Sequence, residues 1–386
     1  MTRPPTTPID RVNALPPRQR RELDAIRRLG RCSRVELHER LGLRKATVTE
    51  DAADLLELGL VREAEARQLT SGRPRLPLEI DPDRHRIAGV AIDPGVVQVQ
   101  RVDLLGNGVG RVLQRRVRGP GRLLGQARRL LEDVLNEHVL AVGVTVPGFI
   151  EPEANRVLFS SAWPDSGPVD LTPLAEAAAP RQMVMGSLTT TLAGRLAFDR
   201  PDLESRDDLV ISFGDGHFGA ALLIAGRPIT GVIAGANELG HNRLPIDTPR
   251  CYCGHTGCLE RVFSTPFLRS REPSSDDLET ALRRDPDAQT PAVAEVTRAL
   301  AMGVANAVNF CRVGEVIFST RVPGSRAYLE RLIERVRAQL LRELRDRVSF
   351  SVVVEDGPHG PRNAATLALA RVCYAGETPP TRYPPR

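Results

Sequence analysis

The sequence predicts an α/β protein in which a small, basic, mostly helical module precedes two larger lobes of alternating strands and helices. Three observations predict it. Residues 18–59 place apolar side chains at helical spacing, punctuated by Ser33, Gly42 and Gly59. From Arg86 onward, short apolar strands separated by turns replace that pattern. One strand–turn–strand run, after first appearing at residues 87–102, recurs from Asp208 to Ile224, as two related lobes require. A chain of 386 residues has room for two to three domains at ~150 residues each.

Composition removes several classes. Hydrophobic residues make up 41% of the chain, ample for sizeable cores, so wholesale disorder is excluded. No apolar run approaches the ~20 residues that span a bilayer. The first residues, Met1-Thr2-Arg3-Pro4-Pro5, lead into charged helix and not into an apolar signal core. A cytoplasmic protein without a membrane partner is therefore expected. Six cysteines are too few for a disulfide framework, but three fall at 251, 253 and 258, which points to a metal. Residues 1–86 carry 18 basic against 14 acidic side chains, and the other 300 carry 35 against 34. Lys45 is the single lysine. So complete a preference for arginine reflects coding bias, and one arginine alone is a weak signal.

The basic front end reads in order. After a Pro-rich leader (1–17), Arg18 to Leu29 forms a helix with Leu23, Ile26 and Leu29 on one face. Ser33-Arg34-Val35-Glu36 is a capping box that starts a second helix, ended by Gly42. Leu43 to Val48 opens a third, continued by Ala52, Leu55 and Leu56 and closed by Gly59. Two strand-like runs, Leu60 to Glu63 and Leu76 to Ile80, flank the basic tip Leu69 to Arg75. Helix, short turn, helix and hairpin make a winged helix-turn-helix over 18–85. Its expected partner is an operator in double-stranded DNA. Arg44, Lys45, Thr47 and Thr49 would meet the major groove, and Arg73 and Arg75 a phosphate or a minor groove. The plainer alternative is a packing module with a solvated charged face. Glu50 and Asp51 count against DNA if they face phosphates, although Glu50 could accept from cytosine.

The remainder, 86–386, divides into lobes of about 86–195 and 196–386. Strands at 87–92, 96–102 and 109–117, a helix from Leu123 to Glu137 and a strand at 140–146 open an actin-like ATPase lobe. Ala292 to Asn309 reads as a long helix of small residues leading into the strand at 316–318. His241 with Cys251, Cys253 and Cys258 supplies one imidazole and three thiolates, a closed tetrahedral set for a structural zinc. His255 competes with His241 for the fourth place. Cys32, Cys311 and Cys373 are isolated.

Glu238-Leu239-Gly240-His241 followed by Cys251-Tyr252-Cys253-Gly254-His255-Thr256-Gly257-Cys258-Leu259-Glu260 resembles the signature of the ROK family (repressors, unassigned frames and sugar kinases). With the winged helix in front, the chain resembles the repressor branch. That resemblance implies operator binding as a homodimer or homotetramer, with a sugar or sugar derivative as effector. It assigns zinc to His241, Cys251, Cys253 and Cys258, and sugar hydroxyls to Glu238, His241 and Glu260. Support of the zinc loop is the competing role for the two glutamates.

The chain also departs from the family's kinases. Gly186-Ser187 stands where they carry Asn-Asp, whose aspartate is the general base, and a serine does not take up a hydroxyl proton near neutral pH. The first phosphate loop reads Asp93-Pro94-Gly95-Val96-Val97-Gln98, without the family's threonine and lysine. Asp215 replaces the threonine of Gly-Thr-Gly, and the adenosine turn reads Ser319-Thr320-Arg321-Val322. Four such changes predict a regulator without kinase activity. An active ROK sugar kinase and a regulator without an effector are the alternatives.

Overall fold

The computed structural model describes residues 7–65, 76–160, 163, 166–229, 236–320, 326–354 and 359–374. The expected leader is partly folded. Helix α1 (Pro8–Asn13) opens on a capping box between Thr7 and Asp10, and Ile9 and Val12 are buried. Pro8 reads as a breaker in sequence, yet a proline at the first helical position sacrifices no hydrogen bond.

Helices α2 (Pro17–Leu29), α3 (Arg34–Leu41) and α4 (Lys45–Leu58) follow the expected spacing. The Ser33–Glu36 capping box opens α3, and Gly42 and Gly59 end α3 and α4 in left-handed conformation. Leu23, Ile26, Leu37, Val48, Ala52 and Leu55 are fully buried. Strands β1 (Val61–Glu63) and β2 (Leu78–Ile80) pair antiparallel, with Val61 opposite Ile80. Three helices and a hairpin in this order form a winged helix. The tip of the wing, with Arg73 and Arg75, lies outside the described residues.

Two five-stranded mixed sheets share one topology. In the first, β3 (Arg86–Asp93), β4 (Val96–Val102) and β5 (Gly108–Arg116) meander. Helix α5 (Pro120–Glu132) then leads to β6 (Val139–Thr145). This helix ends five residues before the expected Glu137. Strands β7 (Phe149–Glu151), β8 (Arg156–Phe159) and β9 (Val169–Asp170) form a small side sheet, followed by α6 (Thr172–Ala178) and β10 (Gln182–Gly186). The strand order is β5-β4-β3-β6-β10.

The second sheet begins after α7 (Leu188–Asp199) with β11 (Asp208–Gly214), β12 (His217–Ile224) and β13 (Arg227–Pro228). Helices α8 (Leu259–Val262), α9 (Thr265–Arg271), α10 (Leu278–Arg284) and α11 (Pro291–Cys311) precede β14 (Glu315–Thr320). Then come α12 (Arg326–Gln339) and β15 (Ser349–Val354), in the order β13-β12-β11-β14-β15. In both sheets an antiparallel meander is extended by two parallel strands on the far side of its first strand.

The compact units differ from the expected lobes. Unit 1 holds the described residues of 1–158, 166–186 and 360 onward, and unit 2 those of 159–165 and 187–359. Helix α7 therefore belongs to unit 2, while α13 (Gly360–Leu369) returns to unit 1. Glycines in the first sheet admit α13. A Cβ at Gly89 would stand 1.8 Å from the carbonyl oxygen of Pro361, and one at Gly143 1.9 Å from that of Ala364. Unit 2 is centred on Phe213, Phe263, Phe267, Leu300, Val304 and Phe318. Among the described residues no helix is long and apolar enough to cross a membrane.

Candidate metal centre and nucleic-acid interface

The tight turn Leu239–His241 presents the histidine, and the chain from 242 to 258 folds back beneath it. Leu244 N–H donates to Gly257 O at 2.8 Å, and Gly257 N–H donates to the Thr248 hydroxyl at 2.8 Å. Gly257 has φ +83°, and a Cβ there would stand 2.4 Å from the Leu244 carbonyl oxygen. This folding brings the ligand atoms of His241, Cys251, Cys253 and Cys258 within 4.8 Å of one another. Cys253 Sγ lies 3.5 Å from Cys258 Sγ, and Cys251 Sγ 3.7 Å from His241 Nδ1. A tetrahedral zinc with Zn–S ~2.3 Å and Zn–N ~2.0 Å spaces its ligand atoms by roughly 3.5–3.8 Å. The donor set fits that ion and leaves no open position. His255 stands beside the set, its Nδ1 3.6 Å from Cys253 Sγ.

Burial pushes the thiols of Cys251 and Cys258 upward, so a cation among them is what would hold them as thiolates. Burial also raises Cys253, but hydrogen bonds with His255, Cys258 and Cys251 together outweigh it and bring that thiol to about 7.

On the other side of the imidazole, His241 Nε2 lies 3.7 Å from Glu238 Oε2 and 3.6 Å from Glu260 Oε2. Burial, and then the charge of Glu260, raises Glu238 to about 7. Burial raises Glu260 to about 7 as well, against the hydrogen bond from Tyr252 and the charge of Arg261. Two carboxyls poised near neutrality offer both acceptors and a donor, which suits hydroxyl groups. Tyr252 was not anticipated here. Its phenol donates to Glu260 Oε2, its ring meets His241 edge-on at 5.0 Å, and it stacks on Phe159 at 4.8 Å. The available signal was its place between two ligands, which sends its side chain away from the sulfurs.

The altered phosphate turns are occupied internally. Ser187 caps α7, its hydroxyl accepting from Thr190 N–H at 3.2 Å and donating to Thr190 Oγ1 at 2.9 Å. The Asp215 carboxylate accepts from Thr265 N–H at 2.7 Å and from the Thr265 hydroxyl, at the start of α9. Asp93-Pro94-Gly95 turns β3 into β4. Ser319 and Thr320 end β14, and Arg321 and Val322 lie outside the described residues.

On the winged helix, Arg44, Lys45, Thr49 and Glu50 are exposed and Thr47 is half-buried. Arg44 caps α4 without a side-chain hydrogen bond, which leaves the first-turn N–H donors facing outward. The Thr49 hydroxyl donates to Lys45 O at 2.9 Å. The concern over Asp51 is corrected. It is buried, accepting from Arg18 at 2.8 Å and Gln19 at 3.0 Å, and cannot repel a phosphate. Only Glu50 remains outside.

The sequence pattern of the ROK family spans residues 124–370. The chain belongs to the ROK family. It is 29% identical over 271 residues to a kanosamine kinase of Amycolatopsis mediterranei, covering 67% of this chain and 85% of that protein. It is 26% identical over 253 residues to the xylose repressor of Caldicellulosiruptor bescii, covering 62% of this chain and 61% of the repressor's length. A ROK family transcriptional regulator, a homolog of the Escherichia coli Mlc protein, superposes with a TM-score of 0.75 at 18% identity, covering 93% of this chain and 98% of that one. At that identity the likeness shows the fold: a helical front end before two actin-like mixed sheets.

Proposed function

We propose that this ROK protein is a sequence-specific DNA-binding transcriptional regulator, a repressor, whose ROK units hold a structural zinc, assemble the homo-oligomer and sense a sugar or sugar derivative. The exposed first turn of α4 carries the reading. Arg44, Lys45 and Thr47 surround a helix start whose N–H donors have no side-chain cap, an arrangement suited to phosphates and base edges. Arg73 and Arg75 would serve the wing. Glu238, His241 and Glu260 would take the effector's hydroxyls, with Tyr252 holding Glu260. The test is selection from random duplexes. Wild type should enrich an inverted repeat with half-sites one helical turn (~34 Å) or a multiple apart. Lys45→Ala should weaken binding, with ~1–3 kcal/mol of lost discrimination at one position if it reads a base. Failure to enrich any sequence defeats the reading.

The second reading, a sugar kinase, is favoured by the likeness to kanosamine kinase. Ser187 and Asp215 oppose it, since both are committed to helix starts. Coupled assays with ATP over hexoses and amino-hexoses should stay at background. Turnover that disappears in Glu238→Gln would establish the kinase instead.

A further inference from the structure

The densest run of positive charge lies outside the winged helix. Between Asp103 and Glu132 there is no acidic residue and there are seven arginines. This stretch carries +7, residues 1–86 carry +4, and the rest of the chain carries −6, which leaves the net +5. Coding bias explains arginine in place of lysine. It does not explain the missing acids.

The arginines of the winged helix are largely engaged within it. Arg11 pairs with Glu57, Arg18 with Asp51, Arg27 and Arg28 with Asp24, Arg31 and Arg62 with Glu79, and Arg34 with Glu63. Arg111, Arg115, Arg116, Arg118 and Arg122 are all exposed, and no ion pair engages them among the described residues. Three lie on β5, the edge strand of its sheet, Arg118 follows in the turn, and Arg122 stands in the first turn of α5. Side chains alternate along a strand, so Arg115 and Arg116 take opposite faces, while Arg111 follows Gly110 (φ +72°) in the stretch where β5 shifts register against β4. The near end of β5 adjoins the winged helix. The Tyr374 phenol donates to Leu104 O at 2.6 Å in the β4–β5 turn, and Arg27 of α2 stands 5.3 Å over the Tyr374 ring.

Resting on the regulator reading, we infer that the β5 edge and the turn after it form a second, sequence-independent DNA surface that holds the duplex flanking the operator. Charge complementarity and continuity with the winged helix carry the assignment. Along the nine residues of β5 the rise of ~3.4 Å per residue gives ~27 Å. That is about eight base pairs at ~3.4 Å each, with a phosphate charge every ~1.7 Å of axis. A charged edge also discourages strand-to-strand aggregation, and the experiment separates the two roles.

The test uses full-length protein and a duplex selected from a random library, either trimmed to its inverted repeat or extended by about 15 base pairs on each side. Affinity is titrated against salt for wild type and for Arg111→Gln/Arg115→Gln/Arg116→Gln, whose unchanged melting temperature shows an intact fold. On the extended duplex the variant should bind about 10-fold more weakly at 0.1 M salt, with a log–log slope shallower by ~0.9 for each phosphate left unneutralised. On the trimmed duplex the two proteins should coincide. Equal slopes on the extended duplex overturn the inference, and so does a variant that binds DNA normally but self-associates. Loss of binding only to phosphatidylserine vesicles would give the edge to a membrane surface and overturn it too. If wild type prefers no duplex at all, the regulator reading fails first, a result distinguishable from wild type and variant behaving alike on a selected site.

Discussion

Two corners of unit 2 differ in what their polar side chains are doing. In the zinc corner, His241, Glu238, Glu260 and Tyr252 converge, and the imidazole stands 3.6–3.7 Å from each carboxylate, longer than a direct hydrogen bond. At the phosphate turns, Ser187 and Asp215 are spent on the starts of α7 and α9. The difference separates side chains spent on helix starts from side chains gathered around one point. Ser187 and Asp215 are held by backbone N–H groups of α7 and α9, while Glu238, His241 and Glu260 point at a common centre.

The zinc corner should break most completely. Cys258 is fully buried, and Cys258→Ser removes a ligand whose loss is coupled to local folding. Zinc should fall from one per chain to a small fraction of that, and amide exchange across 238–260 should speed up by orders of magnitude. Elemental analysis and exchange mass spectrometry check both. Retained stoichiometric zinc would exclude Cys258 from the site.

A buried acid elsewhere sharpens what convergence adds. Glu22 on α2 is 0% exposed, and burial, then the neighbouring Asp51, raises it to about 8. It shares this property with Glu238 and Glu260 but has no metal loop beside it. Because the folded value exceeds the unfolded 4.5, its contribution is fully present below pH ~4.5 and is lost as pH rises towards 8, at up to ~1.4 kcal/mol per unit. Asp51 works in the opposite direction. Its value is lowered by Arg18, Glu22 and Gln19, against the burial that raises it, so its contribution is lost only as pH falls below about 4. Glu22→Gln should flatten the decline in melting temperature between pH 5 and 8 and raise it at pH 8, with DNA selectivity unchanged. A slope identical to wild type would clear Glu22 of that role.

Much of this was legible in the sequence, because it rests on local signals. The Ser33–Glu36 cap, Gly42 and Gly59, the paired strand meanders and the cysteine spacing each act within a few residues, and each lies where the pattern placed it. What was not legible depends on partners far along the chain. Nothing near residue 360 shows that α13 seats against Gly89 and Gly143 in the first sheet. Asp51 looks like a surface acid until Arg18, 33 positions earlier, is brought against it. Tyr252 gains its place from Glu260 and Phe159.

The smallest effects belong to the phosphate turns, and they test whether those residues now serve folding. Asp215→Ala removes two acceptors from Thr265 at an exposed helix start and should cost ~1–2 kcal/mol, in the range of an N-cap. Ser187→Ala should cost about 1 kcal/mol for the same reason, since the N–H of Thr190 loses its acceptor. Ser187→Asp is the informative partner. An aspartate caps a helix as well as a serine and adds favourable charge at the N-terminus, so stability should be kept or slightly raised in denaturant melts. It also returns a carboxylate to the position of the family's general base. Phosphoryl transfer should nevertheless stay at background, because Asp215 still holds α9 and Val97-Gln98 still lack the hydroxyl and ammonium of the first phosphate loop. Turnover in that single variant would mean that the phosphate corner lost only its base, and the contrast between the two corners would shrink to one residue.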